Sequence, residues 1–272
     1  MACIRCGGMG RCHREGWGIP TNKLISFYWD QLMGEIKMTY VSNLDVMKLF
    51  STCLVGLAER GITVQESSDF DACEARMRAI GKASFTPMLS STFSDLSKDH
   101  AGWLILHRDG MDIGGVAARL DSLKSETLPA FWDRSYARMY DGAGALRASH
   151  ACDEIRGNVM YMGEFFISKP ARGSRHLLSL FTHLLFSYAA LRWQPDWLYA
   201  FVRADDVRLG YASEYGFTRQ YPGVHLWDKR PQGRAEGEYL VALPAHDLVR
   251  MAQFFRERPS CLLGLDSLSR VE

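Results

Sequence analysis

The sequence lacks an excess of either charge and lacks any long uninterrupted apolar run. Lys plus Arg number 32 and Asp plus Glu number 31, so the formal net charge is only +1 over 272 residues. Proteins that bind nucleic acid non-specifically carry an excess of positive charge, which this chain lacks. We therefore expect no nucleic-acid partner. The longest apolar stretch, Leu177 to Leu191, is interrupted by polar residues. We therefore expect no membrane span.

Cysteine is scarce, and its pattern gives no framework of disulfides. The seven cysteines are an odd number, and a chain of this length can bury a core without disulfide staples. The first residues, Met1 to Gly18, contain no apolar segment of the kind that signal peptides carry. A reducing, cytoplasmic location is the simplest expectation.

The N-terminal 37 residues differ from the rest because they have no hydrophobic period. Cys3, Cys6 and Cys12 with His13 can be drawn as a zinc site, but the spacing does not match the common zinc fingers. No second cysteine pair follows nearby. We therefore predict no metal site, and an N-terminal extension over residues 1–37 that is loosely ordered.

The composition is that of a globular protein with a sizeable core. Hydrophobic residues make up 47% of the chain and charged residues 23%. Apolar residues at helical spacing predict helices over 45–60 and 71–82. Two short apolar runs, 103–107 and 113–120, flank the turn formed by Arg108, Asp109 and Gly110, which predicts a β-hairpin.

A predicted helix from Leu128 to Tyr140 is rich in aromatic residues. Phe131, Trp132, Tyr136 and Tyr140 would share one side of that helix. Packing in the core and lining of a pocket fit these residues equally well. A Gly/Ala loop is predicted to follow over residues 141–145.

The second half of the chain predicts a strand, a basic turn and a helix in direct succession. The strand covers 159–167, the turn covers 169–175, and the helix covers 176–192. The predicted elements that follow are a strand at 197–202, a helix at 205–215 ended by Gly216, strands at 217–220, 225–227 and 239–243, and a helix at 245–256. Strand, helix and strand joined this way form a right-handed crossover between neighbouring strands. Its loop presents a helix N-terminus, which attracts anions.

Three segments together resemble the GCN5-related N-acetyltransferase (GNAT) superfamily. They are EFFISKPARGSRHLLSLFTHLL from Glu164, ADDVRLGYASEYGF from Ala204, and the hairpin WLILHRDGMDIGGVAARL from Trp103. The resemblance covers about 101–227. It implies an α/β fold with a mixed, twisted sheet flanked by helices, and acetyl-CoA or another acyl-CoA as the acyl donor. We place the acyltransferase domain at 38–258, with an insertion at 121–157 and a C-terminal tail at 259–272.

The sequence departs from the family pattern at three positions. Arg175 and Leu177 stand where glycines are usual in the loop that holds the pyrophosphate, and glycine there lets the backbone approach phosphate closely. Arg175 could compensate with a charged contact to phosphate, or it could block the cofactor. Ala212 stands where the family places its general-acid tyrosine, and Tyr211 lies one residue away.

The resemblance implies a set of residues that bind the cofactor. Its loop would comprise Arg172, Gly173, Ser174, Arg175 and His176, with backbone amides holding the pyrophosphate. Phe166, Ile167 and Ser168, at the end of the preceding strand, would contact the pantetheine arm. Asp205 matches a position near the sulfur end of the cofactor. The alternatives are a basic surface turn for the loop, plain core packing for the strand, and an N-cap for Asp205.

Glu164 and Tyr211 are the candidate catalytic residues. Glu164 is an acidic residue inside an apolar strand, and it falls where several family members place a general base. Partial burial would raise its pKa toward a useful value. Tyr211 could protonate the departing thiolate. The alternatives are a solvent-facing or salt-bridged position for Glu164 and simple packing for Tyr211.

Other reactive side chains are given no catalytic role. His183 lies in the middle of an apolar helix and is interpreted as a packed histidine. Cys152 and Cys261 have no visible base partner, so a cysteine nucleophile is not expected.

The resemblance implies an N-acyltransferase acting by direct attack in a ternary complex. It would transfer an acyl group, most simply acetyl from acetyl-CoA, to an amine of a small molecule or a peptide. One alternative is transfer of a longer chain from acyl-CoA or an acyl carrier protein, with the aromatic residues of 128–140 lining a tunnel. The other alternative is a non-catalytic ligand-binding or regulatory module on the same fold. A homodimer is plausible from the habit of the family.

Overall fold

A seven-stranded sheet with helices on both faces forms the centre of the molecule. The computed structural model describes residues 43–140, 145–148 (backbone only), 152–173, 176–227, 230–231 and 234–264. The helices in these residues are α1 (43–58), α2 (Phe70–Ala79), α3 (Leu128–Met139), α4 (Leu177–Trp193), α5 (Ala204–Arg208), α6 (Tyr211–Tyr215), α7 (Ala245–Glu257) and α8 (Pro259–Leu263). The strands are β1 (Ile62–Ser67), β2 (Ala101–Arg108), β3 (Met111–Ser122), β4 (Ala145–Ala148), β5 (Asn158–Ile167), β6 (Trp197–Val202), β7 (Arg219–Pro222), β8 (His225–Trp227) and β9 (Tyr239–Pro244).

The large sheet is mixed, and its strand order is β1-β2-β3-β5-β6-β9-β7. Neighbouring strands run antiparallel except for β5 and β6, which are parallel. The predicted fold class, an α/β fold with a mixed sheet flanked by helices, is therefore confirmed. The β2–β3 hairpin is also confirmed, and its turn residues Asp109 and Gly110 both have the positive φ that a tight hairpin turn requires.

Each face of the sheet carries its own core. On one face α1, α4 and α7 pack on the sheet, and the side chains of Leu180, Phe181 and Leu184 in α4 are fully buried. On the other face α2 and α3 cover the sheet, and Trp103 and Trp132 are fully buried. Burial of this apolar surface, at about 25 cal/mol per Å², is the main stabilising contribution.

The crossover from β5 through α4 to β6 sets up the functional part of the fold. The two strands pair only over a short stretch, from Val159 opposite Trp197 to Tyr161 opposite Tyr199. Beyond this point β5 continues to pair with β3, and β6 continues to pair with β9. Toward the ends of β5 and β6, the edges that face each other are therefore not hydrogen-bonded to one another.

One sequence prediction in the second half is wrong. The helix predicted over 205–215 is two short helices, α5 and α6, because Gly210 between them has a φ of 86°. The predicted strand at 225–227 is present as β8. It pairs with β4 and forms a separate two-stranded sheet.

Several elements were not anticipated from the sequence. β1 carries polar residues at most positions and joins the edge of the sheet beside β2. α8 lies within the predicted C-terminal tail and buries Leu262. The predicted extension at 1–37, with Cys3, Cys6 and Cys12, lies outside the described residues, as does most of the predicted loop at 141–145. Among the described residues, no helix combines the length and apolar character needed to cross a bilayer.

The end of β5 is held against β3 by a close backbone approach that only glycine permits. A Cβ atom on Gly114 would lie 2.6 Å from the Phe166 carbonyl oxygen. We expect Gly114→Ala to push the two strands apart and to lower the free energy of unfolding by about 1–3 kcal/mol. Chemical denaturation monitored by circular dichroism would measure this change.

Gly102 in the neighbouring strand β2 is the matched control. A Cβ atom there would meet its nearest neighbour, the Trp193 ring, at 3.5 Å, which is ordinary contact. Gly102→Ala should therefore stay within about 1 kcal/mol of the wild type. Equal destabilisation by the two substitutions would contradict the close approach at Gly114.

Candidate active site

A cavity of about 710 Å³ lies where β5 and β6 stop pairing. Both strands contribute to its wall, and it extends to Gly173 and Leu177 at the start of α4. Its charged lining residues are Lys82, Glu164, Arg172, Arg203, Asp206, Arg234 and Glu238. The cavity thus joins the basic turn and the candidate catalytic glutamate in one space.

A β-bulge in β5 sets the direction of the Glu164 side chain. The register between β3 and β5 shifts so that Gly115 faces Phe166 while Ala117 faces Gly163. Two residues of β5, Glu164 and Phe165, therefore oppose one residue of β3. Glu164 has a φ of 60°, which is unusual for a residue other than glycine. Bulges of this kind change the direction of a side chain and are frequent beside active sites.

The Glu164 carboxylate is buried and held by two partners. Its Oε2 atom lies 2.9 Å from the Lys82 ammonium nitrogen, and its Oε1 atom accepts a short hydrogen bond from the backbone N–H of Thr86. The Glu164 side chain is only 3% exposed. The salt bridge that was one alternative for this residue is therefore present, and it lies in the wall of the cavity.

Burial raises the pKa of Glu164 above the value of a free glutamate, although Lys82 and the Thr86 amide act in the opposite direction. A carboxylate has about four lone-pair directions, so two partners leave it able to accept a further proton. A buried carboxyl group with a raised pKa can serve as a general base near neutral pH.

The basic turn also lies at the cavity. Arg172 and Gly173 are exposed and line it, and Arg172 donates from Nε to the Ile167 carbonyl oxygen at 2.8 Å. Gly173 has a φ of 83° and no atom within 4 Å of a Cβ position. His176 is the N-cap of α4 with a left-handed backbone. Ser174 and Arg175 lie outside the described residues.

The N-terminus of α4 has the features of an anion site. The side chain of its N-cap residue, His176, makes no capping hydrogen bond, and its first turn contains no acidic residue. The positive end of the helix dipole and the first-turn amides therefore lie at Leu177, which lines the cavity, and the first turn supplies no carboxylate to offset them. Leu177, which stands where the family has glycine, is buried in the core with 1% of its surface exposed.

The last residues of β5 and the residue that follows them lie in different environments. Phe166 and Ile167 line the cavity, and the Phe166 ring lies 5.7 Å from the Arg172 guanidinium. Ser168 is buried and bonds through its backbone N–H to the Ile113 carbonyl oxygen. The residues described here fit an acyl-CoA, because an unpaired strand edge, an open glycine turn and an uncapped helix N-terminus adjoin one cavity.

Tyr211 lies at the first position of α6 and lines the cavity with 40% of its surface exposed. It stacks on Tyr215, with the ring centroids 6.2 Å apart. Burial raises the pKa of Tyr215 to about 12. Ala212 is buried and has no ionisable group, so this position supplies no acid.

Asp205 is not brought to the cavity. Its carboxylate bonds to Arg208 at 2.8 Å and its side chain is 84% exposed. The alternative that Asp205 caps the helix is wrong, because the N-cap of α5 is Arg203. Asp206, the next residue, lines the cavity and pairs with Arg203.

Of the residues that were given no catalytic role, His183 and Cys152 are buried, whereas Cys261 is exposed. His183 lies in the core, and burial lowers its pKa to about 4, so it is neutral near pH 7. Burial raises the pKa of the Cys152 thiol to about 11, which disfavours a thiolate nucleophile. Of the four aromatic residues of α3 and its C-cap, Tyr140 lines the cavity, whereas Trp132 and Tyr136 pack in the core.

Lys82 was missed by the sequence analysis, although it is the charged partner of Glu164. It lies beyond the end of α2, and no motif marks it as part of a site. Arg234 and Glu238 were also missed. They belong to a charged stretch between β8 and β9, and only the folded arrangement places them at the cavity.

Comparison with solved structures finds matches to N-acyltransferases. FeeM, an N-acyl amino acid synthase from uncultured soil microbes, is 17% identical, and the match covers 71% of this chain and 97% of that one at a TM-score of 0.45. NAA60 of Arabidopsis thaliana, in complex with acetyl-CoA, is 14% identical over 67% of this chain and 98% of its own at 0.41. The spermidine/spermine N-acetyltransferase SpeG of Vibrio cholerae is 9% identical over 71% and 99% at 0.41.

No protein-family model and no curated protein matches the sequence. Another match is described as an acetyltransferase of the GNAT family from Streptococcus pneumoniae, which is the family that the sequence motifs resemble. Matches with identities and TM-scores this low carry no argument about function. The function therefore has to rest on this chain's own residues.

The environment of Glu164 makes its titration measurable. We expect its pKa to lie above the ordinary glutamate value of about 4.3, because burial disfavours the carboxylate. Lys82→Met should raise it further by removing the nearby cation, whereas Lys82→Arg should leave it near the wild-type value. NMR of protein labelled with ¹³C at the glutamate carboxyl would give each pKa, with Glu164→Gln identifying the signal.

The raised pKa of Glu164 also determines how stability depends on pH. The folded state binds the Glu164 proton more tightly than the unfolded chain does. The resulting contribution to the free energy of unfolding is therefore present below the ordinary glutamate pKa and is lost as pH rises through the raised pKa of the folded state. A wild-type pKa at or below the ordinary value would show that burial does not govern the titration of Glu164. A pKa insensitive to Lys82→Met would show that Lys82 does not stabilise the carboxylate.

Proposed function

We propose that this protein is an N-acyltransferase that moves an acyl group, most simply acetyl, from acyl-CoA to an amine of a small molecule or a peptide. The observation that carries the proposal is the single cavity that runs along the unpaired ends of β5 and β6, from the glycine turn before α4 to the buried carboxylate of Glu164. This arrangement suits a donor with an anionic diphosphate and a long arm, held beside a general base.

In this proposal, different residues of the chain bind different parts of the acyl-CoA. The amides around Gly173 and the first turn of α4 hold the diphosphate, with Arg172 adding a positive charge. Phe166 and Ile167 contact the pantetheine arm through the free edge of β5. When bound, acyl-CoA supplies an activated acyl thioester. Holding both reactants in one cavity lowers the entropic part of the barrier.

Glu164 is the proposed base. It takes a proton from the acceptor ammonium group, directly or through water, so that the amine becomes a nucleophile. Lys82 keeps the carboxylate ionised over a wider pH range than burial alone would allow, and the Thr86 amide fixes its orientation. Attack is direct, without a covalent enzyme intermediate. Tyr211 is the proposed proton donor to the departing thiolate, since it lines the same cavity and is partly exposed.

Glu164→Gln tests the base. The amide keeps the shape of the side chain but does not accept the proton, so we expect kcat to fall about 100-fold and the rise of rate with pH to flatten. Thiol release from acetyl-CoA, measured over a panel of amines between pH 5 and 9, would detect both effects. Affinity for CoA, measured by calorimetry, should remain at the wild-type value. Unchanged kcat and pH profile would remove Glu164 from the mechanism.

Arg172→Ala tests the diphosphate site. Loss of a charge-assisted contact of about 1.5 kcal/mol should weaken CoA binding about tenfold in calorimetry. Pantetheine lacks the diphosphate, so its affinity should be unaffected. Arg208→Ala is the matched control, because Arg208 is an exposed arginine paired with Asp205 away from the cavity. Equal weakening of CoA and pantetheine would assign Arg172 to general packing instead.

A further inference from the structure

One wall of the cavity carries a buried guanidinium that the proposed mechanism does not use. Arg234 and Glu238 line the cavity together with Tyr140. We call these residues the Arg234 wall. The Arg234 side chain is only 5% exposed, and its guanidinium lies 4.3 Å from the centre of the Phe201 ring. A charged side chain is seldom buried so deeply unless it is paired within the protein or contacts a ligand.

The guanidinium is fixed by two contacts at one nitrogen. Arg234 Nη2 lies 2.6 Å from Glu238 Oε2 and 3.2 Å from His225 Nδ1. Burial and the neighbouring Arg234 hold the pKa of His225 far below its usual range, so the ring is neutral. A guanidinium can only donate, so His225 Nδ1 is the acceptor of this bond. Arg234 is therefore held in one orientation by the fold.

Three buried side-chain atoms of the Arg234 wall have no hydrogen-bond partner within the described part of the chain. One of them, the acceptor Glu238 Oε2, forms the ion pair with Arg234 Nη2. The other two are donors, Arg234 Nε and the Tyr140 hydroxyl, and neither has a partner among the described residues. A buried donor without a partner costs about 1–3 kcal/mol. Both side chains line the cavity, so a ligand there can supply what the protein does not. The missing group is a hydrogen-bond acceptor, and a carboxylate is the acceptor that best matches a guanidinium.

The charges of the cavity agree with a ligand that carries both signs. Glu238 compensates the charge of Arg234, just as Lys82 compensates Glu164. A ligand with a net charge would upset these balanced pairs, whereas a zwitterion would not. In such a ligand an ammonium group would face Glu164, and a carboxylate would face Arg234.

We infer that the acceptor is an amino acid, whose carboxylate binds the Arg234 wall while its amine faces Glu164. This inference rests on the proposed function, and it narrows the acceptor from amines in general to amines that carry a carboxylate. Arg234 is then a specificity-determining residue, and Tyr140 adds a neutral hydrogen bond to the same group.

A binding comparison tests the carboxylate separately from catalysis. N-acetylphenylalanine and its primary amide differ only in whether the terminal group is a carboxylate, and both resemble a reaction product. With the full chain, in the absence and presence of CoA, we expect the acid to bind at least about tenfold more tightly than the amide in calorimetry. Equal affinities, or binding of neither compound, would overturn the inference.

Variants connect that preference to the named residues. Tyr140→Phe removes only the hydroxyl and should weaken binding of the acid about threefold to tenfold without changing the amide. The double variant Arg234→Gln with Glu238→Gln removes both buried charges together and should abolish the preference for the acid. A retained preference in a folded double variant would also overturn the inference.

Turnover distinguishes this inference from the function on which it rests. Phenylalanine should be acylated at least about tenfold more efficiently than phenylalaninamide and phenethylamine, measured as kcat/KM. If all three are acylated equally well, the acceptor inference fails and the acyltransferase proposal stands. If the acid binds selectively but no amine is acylated, the carboxylate site stands and the acyltransferase proposal fails.

Discussion

The early end of pairing between β5 and β6 is the constraint on which the rest of the site depends. Three residues of each strand pair in parallel, and after Tyr161 and Tyr199 each strand keeps only its outer partner. An unpaired strand edge inside a protein requires either water or a ligand to satisfy its backbone groups. The fold supports this opening with a core on each face of the sheet, so the gap persists without collapse of the layers around it.

Within that opening, two buried ion pairs organise the electrostatics. Lys82 with Glu164 and Arg234 with Glu238 each place a charge where solvent is largely absent. Such pairs contribute little to stability compared with well-packed apolar groups, because their desolvation offsets most of their attraction. Their value lies in pre-oriented charge, which requires no reorganisation when a ligand arrives.

Local patterns made much of the fold predictable, whereas the site needed contacts across the chain. The β2–β3 hairpin follows from Asp109 and Gly110, and α4 follows from its apolar spacing, because both depend on neighbouring residues. The pairing of Lys82 with Glu164 joins residues far apart in sequence, and no local pattern encodes it. The break at Gly210 turned one predicted helix into two, and Asp205, in the first of them, faces solvent. The bulge in β5 likewise defeats simple alternation, since one extra residue reverses which side chains face the cavity.

The left-handed backbone of Glu164 has a consequence for how this position can vary. Glycine and asparagine adopt that conformation at lower cost than glutamate, and neither has a carboxylate that could accept a proton. Selection for a more robust fold and selection for a reactive side chain therefore act in opposite directions at this one residue. Persistence of glutamate here among distant descendants of the same ancestor would mean that chemistry had outweighed stability throughout their divergence.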